Sequence, residues 1–453
     1  MAKSFELNAK LNARDEGLSD ILLTIFPLVV VPLPKEFEEL KLGDQVADGV
    51  FSALTRSLPP LQETMETVEE TLLFYGDDED EARENMEKYF LQQSCSDGFP
   101  LLPPTEKAVK RMLEGTELHP NHVVGLVGPS GAEATIKKIA INAVMAGCLP
   151  QYMPVIIAAV QAITDPIFYL RGIQCTAGMV SPLLIVSGQK LIEQLNINDS
   201  YSTIGPGWRA NATIGRVIRL IMINLGNAWP GKNDMKAFGS PFKYVTLMAE
   251  NERGYMGAWE PIRVTEGFSY DQPTVSVMPA LSWQIDRFHP GVATGNNTKM
   301  LVEILARQAK VKYDRLFNCW GMENLVLLCP TAFDTIRKEQ RSRLDFQNML
   351  YEEIQLPLIE LFEGMGSSAD PDLIPIPQLL LERCRADPNT LVPLFPGPES
   401  IKVIVAGAPG PAMCAYINTW GHRAHFVTKP VKLPGNWDQL LEKYKGWESP
   451  IVK

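Results

Sequence analysis

The stretch IGPGWRANATIGR, Ile204 to Arg216, brings Gly207, Arg209, Asn211, Thr213 and Arg216 together at the opening of a helix. A Gly-Pro-Gly turn lets backbone approach a ligand closely. The unsatisfied N–H groups of a helix start, joined by an arginine fork, suit a carboxylate or a phosphate. Gly207, Arg209, Asn211, Thr213 and Arg216 are therefore candidate holders of a small anionic substrate; the alternative is a helix cap with surface arginines. Two thiols are candidate nucleophiles or redox groups: Cys148 in AGCLPQYMP and Cys175 in RGIQCTAG. A thiolate does either chemistry when positive or dipolar surroundings favour it. Cys148 stands at the wrong end of a helix for that, whereas Arg171 lies close to Cys175 in sequence. The alternative for each is a core thiol.

Glu250 and Glu252, in LMAENERGYMGAWEP, follow a strand. Catalytic groups of α/β proteins gather at that end, so either glutamate is a candidate to move a proton. Spaced by two on extended backbone, they point to opposite faces and imply no shared-proton pair. His422 and His425, in NTWGHRAHF, would share a helix face and are weak metal candidates, without an HExxH or a third ligand in register.

VVGLVGPSGAEATIKK, Val123 to Lys138, opens like a nucleotide-binding loop. A phosphate loop needs a Gly-Lys pair followed by Ser or Thr, the lysine reaching the phosphates. Glu133 and Ala134 replace that pair, so ATP use by the 128–135 loop is not expected. A strand, a tight turn and a helix are. Neither a GxSxG elbow nor a GxGxxG fingerprint occurs.

These residues need elements to hold them. Strand-like runs such as LLIVSG, KYVTLMAENE, TVSVMPAL, ENLVLLCP and ESIKVIVAG alternate with helix-like runs. Thr105 caps one helix, EKAVKRMLEGT, and Ile214, Val217, Ile218 and Ile221 form the apolar stripe of another over Arg209 to Asn224. The alternation predicts an α/β fold with mostly parallel sheets, helices on the faces and two or more α/β units. The domain boundaries expected are 1–75, 76–290 and 291–453, with FEGMGSSADPDLIPIP as a linker or flap. The acidic run from Asp77 to Glu84 reads as a solvated helix face.

The chain has 453 residues and a formal charge of −11. That balance disfavours nucleic acid as a partner, because phosphate backbones need Lys/Arg stripes. No window holds 18 uninterrupted apolar residues, so no membrane span is expected, and no signal-peptide pattern opens the chain. Seven cysteines with no CxxC pair suggest reduced thiols in the cytoplasm. The methionines, the tryptophans and the split N-terminal piece make a homo-oligomer plausible.

DGFPLLPPT, EATIKKIAINAVMAGCLPQYMPVIIAAVQAI, GPGWRANATIGRVIRL and AENE with WEP resemble a little-described bacterial family associated with UGSC-like (thiol-disulfide oxidoreductase) proteins. The likeness is strong over Cys95 to Glu266. PLVVVPLPKEFEELKLGDQVADGVFSALT resembles the last strand and helix of UGSC-like proteins themselves, which makes 1–75 a remnant of that fold. The Cys/Sec-Gly-Ser-Cys loop of those proteins is absent. The resemblance implies either a separate UGSC-bearing subunit or a chain that works without that group. It marks Cys148, Gly207, Arg209, Asn211, Thr213 and Arg216 as motif positions.

The reading that results is a cytoplasmic enzyme, or the large subunit of one, an oxidoreductase or a lyase. It would act on a small anionic substrate by thiol-dependent redox or carbon–heteroatom bond cleavage. The rivals are a metal-assisted or cofactor-free lyase or hydratase and a non-catalytic scaffold for a UGSC-bearing chain. No cofactor is specified.

Overall fold

The computed structural model describes residues 71–289 apart from 237, 245 and 246, then 297–310, 323–363, 382, 383, 385–420 and 424–447, with Ala47, Asp48 and Phe51. His422, most of the 1–75 piece and most of the expected flap lie outside the described residues.

The chain enters with the helix Glu79–Gln92 and the helix Glu106–Leu113, the second capped by Thr105 as its sequence predicts. Next come β1 (Val123–Val127) and β2 (Ala132–Thr135), which pair antiparallel. The GPSGA loop is thus the turn of a hairpin rather than a strand–turn–helix connection. Thr135 closes β2 and caps the helix Ile136–Ala146, accepting from the Lys138 amide at 3.3 Å.

The helices Ile136–Ala146, Met153–Ile163 and Arg209–Asn224 pack into one apolar core with a face of the main sheet. Met153–Ile163 is apolar all round and buries every residue except Gln161, as a helix without a polar face must. No single helix among the described residues is long and apolar enough to cross a membrane.

The main sheet has seven strands: β3 (Ser181–Ser187), β4 (Leu247–Ala249), β5 (Thr274–Arg287), β6 (Asn324–Leu328), β9 (Ile401–Val405), β10 (Met413–Thr419) and β11 (Val427–Pro430). A short separate hairpin joins β7 (Gln355–Pro357) to β8 (Leu391–Pro393). The order in the main sheet is β4-β3-β5-β10-β6-β9, with β11 also on β5. Only β3–β4 and β6–β9 run parallel; β5 is antiparallel to β3, β10 and β11, and β10 to β6.

The expected mostly parallel sheet is therefore corrected: the sheet is mixed, curled and dominated by antiparallel pairs. Strand–helix alternation holds from β3 to β4 and from β6 to β9, where helices intervene and the pairs are parallel. It fails at β9–β10, which only residues 406–412 connect. A parallel return needs roughly a dozen residues or more. It fails also at β5, whose 14 residues run as one strand past the bulge opposite Asn418 and Thr419. The sheet takes strands from both sides of residue 290.

The strand order is a palindrome. β3, β4 and β5 repeat as β6, β9 and β10, with the same parallel and antiparallel partners, about a two-fold axis between β5 and β10. Matching bonds mark the repeat: the Glu250 amide donates to the Val186 carbonyl at 2.9 Å, and the Ala406 amide to the Leu328 carbonyl at 3.0 Å. The sheet curls around an inner core that includes Ile185, Met248, Ala280, Leu327, Ile404 and Ile417. Its edge strands touch at their carboxyl ends, where the Asn251 amide donates to the Val405 carbonyl at 2.8 Å. The Asn251 side chain donates to the Gly407 carbonyl at 2.8 Å and accepts from the Gly254 amide at 3.0 Å.

Replacing Asn251 with alanine strips both partners and is expected to cost about 1–3 kcal/mol. Urea unfolding checks this; an unchanged midpoint would show that the edge contact contributes nothing to closure.

Candidate functional site

Each half of the sheet ends in a position for chemistry, and the two are built differently. In the first half, Ser187 closes β3 and Glu250 follows β4. Glu250 is fully buried. It accepts from the Ser187 hydroxyl at 2.5 Å, the Tyr255 hydroxyl at 2.5 Å and the Ile262 amide at 2.8 Å. Tyr255 in turn accepts from the Val405 amide at 3.2 Å. Burial raises the Glu250 carboxyl above its ordinary range, against the pull of those three donors and of Arg343. Glu252 accepts from the Gly188 amide at 2.5 Å and pairs with Arg263, which also donates to Ser187 at 3.0 Å. The two glutamates are thus brought together around Ser187 in a network that protein groups fill.

In the second half the equivalent positions are Cys329 after β6 and Ala406 after β9, by the matched amide bonds above. Cys329 caps the helix Pro330–Lys338, and its Sγ accepts from the Ala332 amide at 3.4 Å and the Met413 amide at 3.1 Å. Its thiol also donates to the Pro411 carbonyl at 3.6 Å. Where the first half carries Glu250, Asn251 and Glu252, the second carries Ala406, Gly407 and Ala408. Small side chains leave room, and a cleft of about 570 Å³ opens against Cys329.

The lips of the cleft are residues 200–206 from the first half and 406–411 from the second; its floor is Trp283, Ile285, Leu327 and Ala415 of the sheet. Asn211 holds the first lip. Buried at 0% exposure, it accepts from the Asn198 amide at 2.7 Å and donates to the Asn198 and Thr203 carbonyls, each at 3.3 Å. The lips meet where the Gly407 amide donates to the Asp199 carbonyl at 3.1 Å and the Tyr201 hydroxyl to the Pro409 carbonyl at 3.4 Å. Gly207 stands just outside the first lip with φ +109, in the left-handed half of the map that favours glycine.

The other residues expected to bind an anion do not converge on this cleft. Arg209 donates to the Gly147 carbonyl at 2.9 Å and stacks over Trp447 at 4.4 Å. Thr213 donates back to the Arg209 carbonyl at 2.8 Å within its own helix. Arg216 forms a two-pronged pair with Asp97, at 2.7 and 2.9 Å, and binds the Pro100 carbonyl. The buried Cys148 donates to the Thr213 carbonyl at 3.3 Å. Burial pushes its thiol up to about 12, despite that bond and the nearby Arg209 and Arg216. Burial also raises the Cys175 thiol, outweighing Arg171 and Lys236. His425 faces Glu323 at 3.6 Å. Among the described residues no three metal-binding side chains gather.

A second charged group lies apart from the cleft. Asp234 pairs with Lys236 at 3.4 Å and with Lys243, and Arg219 donates to Ser181 at 3.1 Å. Burial lowers Lys236 to about 8, even though its ammonium caps the Ile173 and Gln174 carbonyls at 2.9 and 3.1 Å. These cations are spent on closing a helix end and on Asp234.

Cys329 is the residue that sequence reasoning missed. The signal is LCP: a polar side chain at the end of a buried strand, with proline at the first helical position. No protein-family model matches the chain, and no curated protein matches it.

The raised Glu250 carboxyl has a testable sign. Its folded value exceeds the unfolded one, so it adds most to stability at low pH and loses that contribution as pH rises above about 4.3, the unfolded value. Glu250→Gln removes the titration. The variant's melting temperature, relative to wild type, is expected to improve from pH 4.5 to pH 8; a constant difference would show that Glu250 titrates no differently once folded.

Proposed function

We propose that the chain is a thiol-dependent enzyme whose reactive group is Cys329, working in the cleft between residues 200–206 and 406–411. The observation that supports this is a sulfur on the cleft wall that caps a helix and receives two backbone N–H groups. A sulfur at a helix start on the wall of an open cleft is placed to attack electrophilic carbon or sulfur. It would form a covalent intermediate, which covers both thiol redox and carbon–heteroatom cleavage. Cys414 also borders the cleft. Its thiol is pushed up to about 12, first by burial, then by Asp286 and Cys329, so it is the poorer nucleophile. None of the five described cysteines is in a disulfide, which supports a reducing, cytoplasmic setting.

Alkylation with iodoacetamide at pH 7, read per cysteine by mass spectrometry, tests the assignment. In the native protein Cys329 is expected to react at least about tenfold faster than Cys148, Cys175 and Cys414, whose thiols burial raises. If Cys329 is as slow as those three, the thiol reading fails. A scaffold for a UGSC-bearing chain then takes its place, to be sought as a co-purifying partner.

A further inference from the structure

The chemistry of the cleft wall specifies more than a nucleophile. Among the described residues its lining contains no Lys, Arg, Asp, Glu or His. Its polar side chains are hydroxyls of residues 200–203 and the two thiols; the rest is glycine, proline and apolar residues. The floor exposes apolar surface at the end of a sheet face that is covered further along. Trp283 is 44% exposed and Ile285 52%, whereas Leu325 and Ile417, their neighbours on that face, are at 0%. Phe242 packs edge-on against Trp283 at 5.8 Å and fixes the indole as a platform.

A carboxylate entering this space would lose water and find no charged side chain among the described lining residues. Arg287, the next exposed position of β5 after Trp283 and Ile285, lies outside that lining, and Arg209, Arg216, Lys236 and Lys243 are engaged by Gly147, Asp97 and Asp234. An apolar group, by contrast, gains from covering Trp283 and Ile285. The volume is that of a small-molecule site.

We propose that the cleft takes a neutral, apolar acyl group, presented as an ester or thioester, and that Cys329 accepts it. This rests on the reading of Cys329 as the reactive thiol and names the substrate class for that site. The sulfur forms a bond to the acyl carbon. The bond from that carbon to the leaving oxygen or sulfur breaks, the leaving group departs with the electron pair, and the thiol proton balances it. A thioester on Cys329 results, for water or a second nucleophile to take. No oxidant or reductant is needed.

The test compares two esters of the same chain length, p-nitrophenyl butyrate, which is neutral, and mono-p-nitrophenyl succinate, which is anionic. Release of nitrophenol is timed, and the acyl adduct is mapped by mass spectrometry. Butyrate is expected to acylate Cys329 at least about tenfold faster than succinate relative to their rates with a free thiol. Trp283→Lys, or Ile285→Lys should the first variant fold poorly, is expected to reverse the preference when each ester's rate is divided by that variant's own rate of iodoacetamide labelling at Cys329. Fast iodoacetamide labelling with succinate equal to or faster than butyrate overturns the substrate class alone. So does fast labelling with no acyl adduct from either ester. Slow iodoacetamide labelling with no adduct overturns the thiol reading beneath it.

Discussion

A glutamate with no access to water sits where the curled sheet closes. Glu250 can stay buried only if its oxygens are bonded, because an unpaired carboxyl in an apolar interior costs several kcal/mol. Its three donors come from three places: Ser187 at the end of β3, Tyr255 in the loop after β4, and Ile262 at the start of a short helix. Tyr255 passes the constraint on by taking the Val405 amide at the end of β9. One carboxyl thus ties the first half of the sheet to the edge of the second. Together with the bonds of Asn251 to Val405 and Gly407, it joins the carboxyl ends of the two edge strands.

The two-fold repeat explains why one end is sealed and the other open. Matching strands bring Ser187 and Cys329 to corresponding positions, each followed by a helix. Around Ser187 the chain places two carboxylates and Arg263, whose charges and hydrogen bonds satisfy one another and fill the space. Around Cys329 it places Ala406, Gly407 and Ala408, which fill little. The polar end supplies rigidity, since breaking any member leaves a buried partner unpaired. The open end leaves a cleft, braced by its rigid counterpart through Asn251 and Gly407.

Local signals carried through to the structure where local physics decides. Thr105 and the stripe of Ile214, Val217, Ile218 and Ile221 form the helices their spacing predicts. Strand direction was not legible, because direction depends on which strands pair, and MCAYINT returns beside β5 only after a turn too short for a helix. Glu250 and Glu252 looked like a site from their place after a strand. They are drawn together there, but their partners, Ser187, Tyr255 and Arg263, are distant in sequence or carry no motif. Cys329 was hidden for the opposite reason. Its neighbours are proline, alanine and glycine, and its importance lies in space left empty.

In the motif GPGWRANAT the polar residues at a helix start are bonded to groups of the protein itself. Arg209 closes the Gly147 helix end, and Arg216 anchors the loop of Asp97 to Pro100. Asn211 spends its whole amide on residues 198 and 203, shaping the lip that faces Cys329 across the cleft. Three hydrogen bonds from one side chain at 0% exposure leave that lip little freedom. A lip built of Gly205 and Pro206 would otherwise be free to collapse onto the exposed Trp283, because covering that surface is favourable. Asn211 thus holds the lip that stands over the apolar floor.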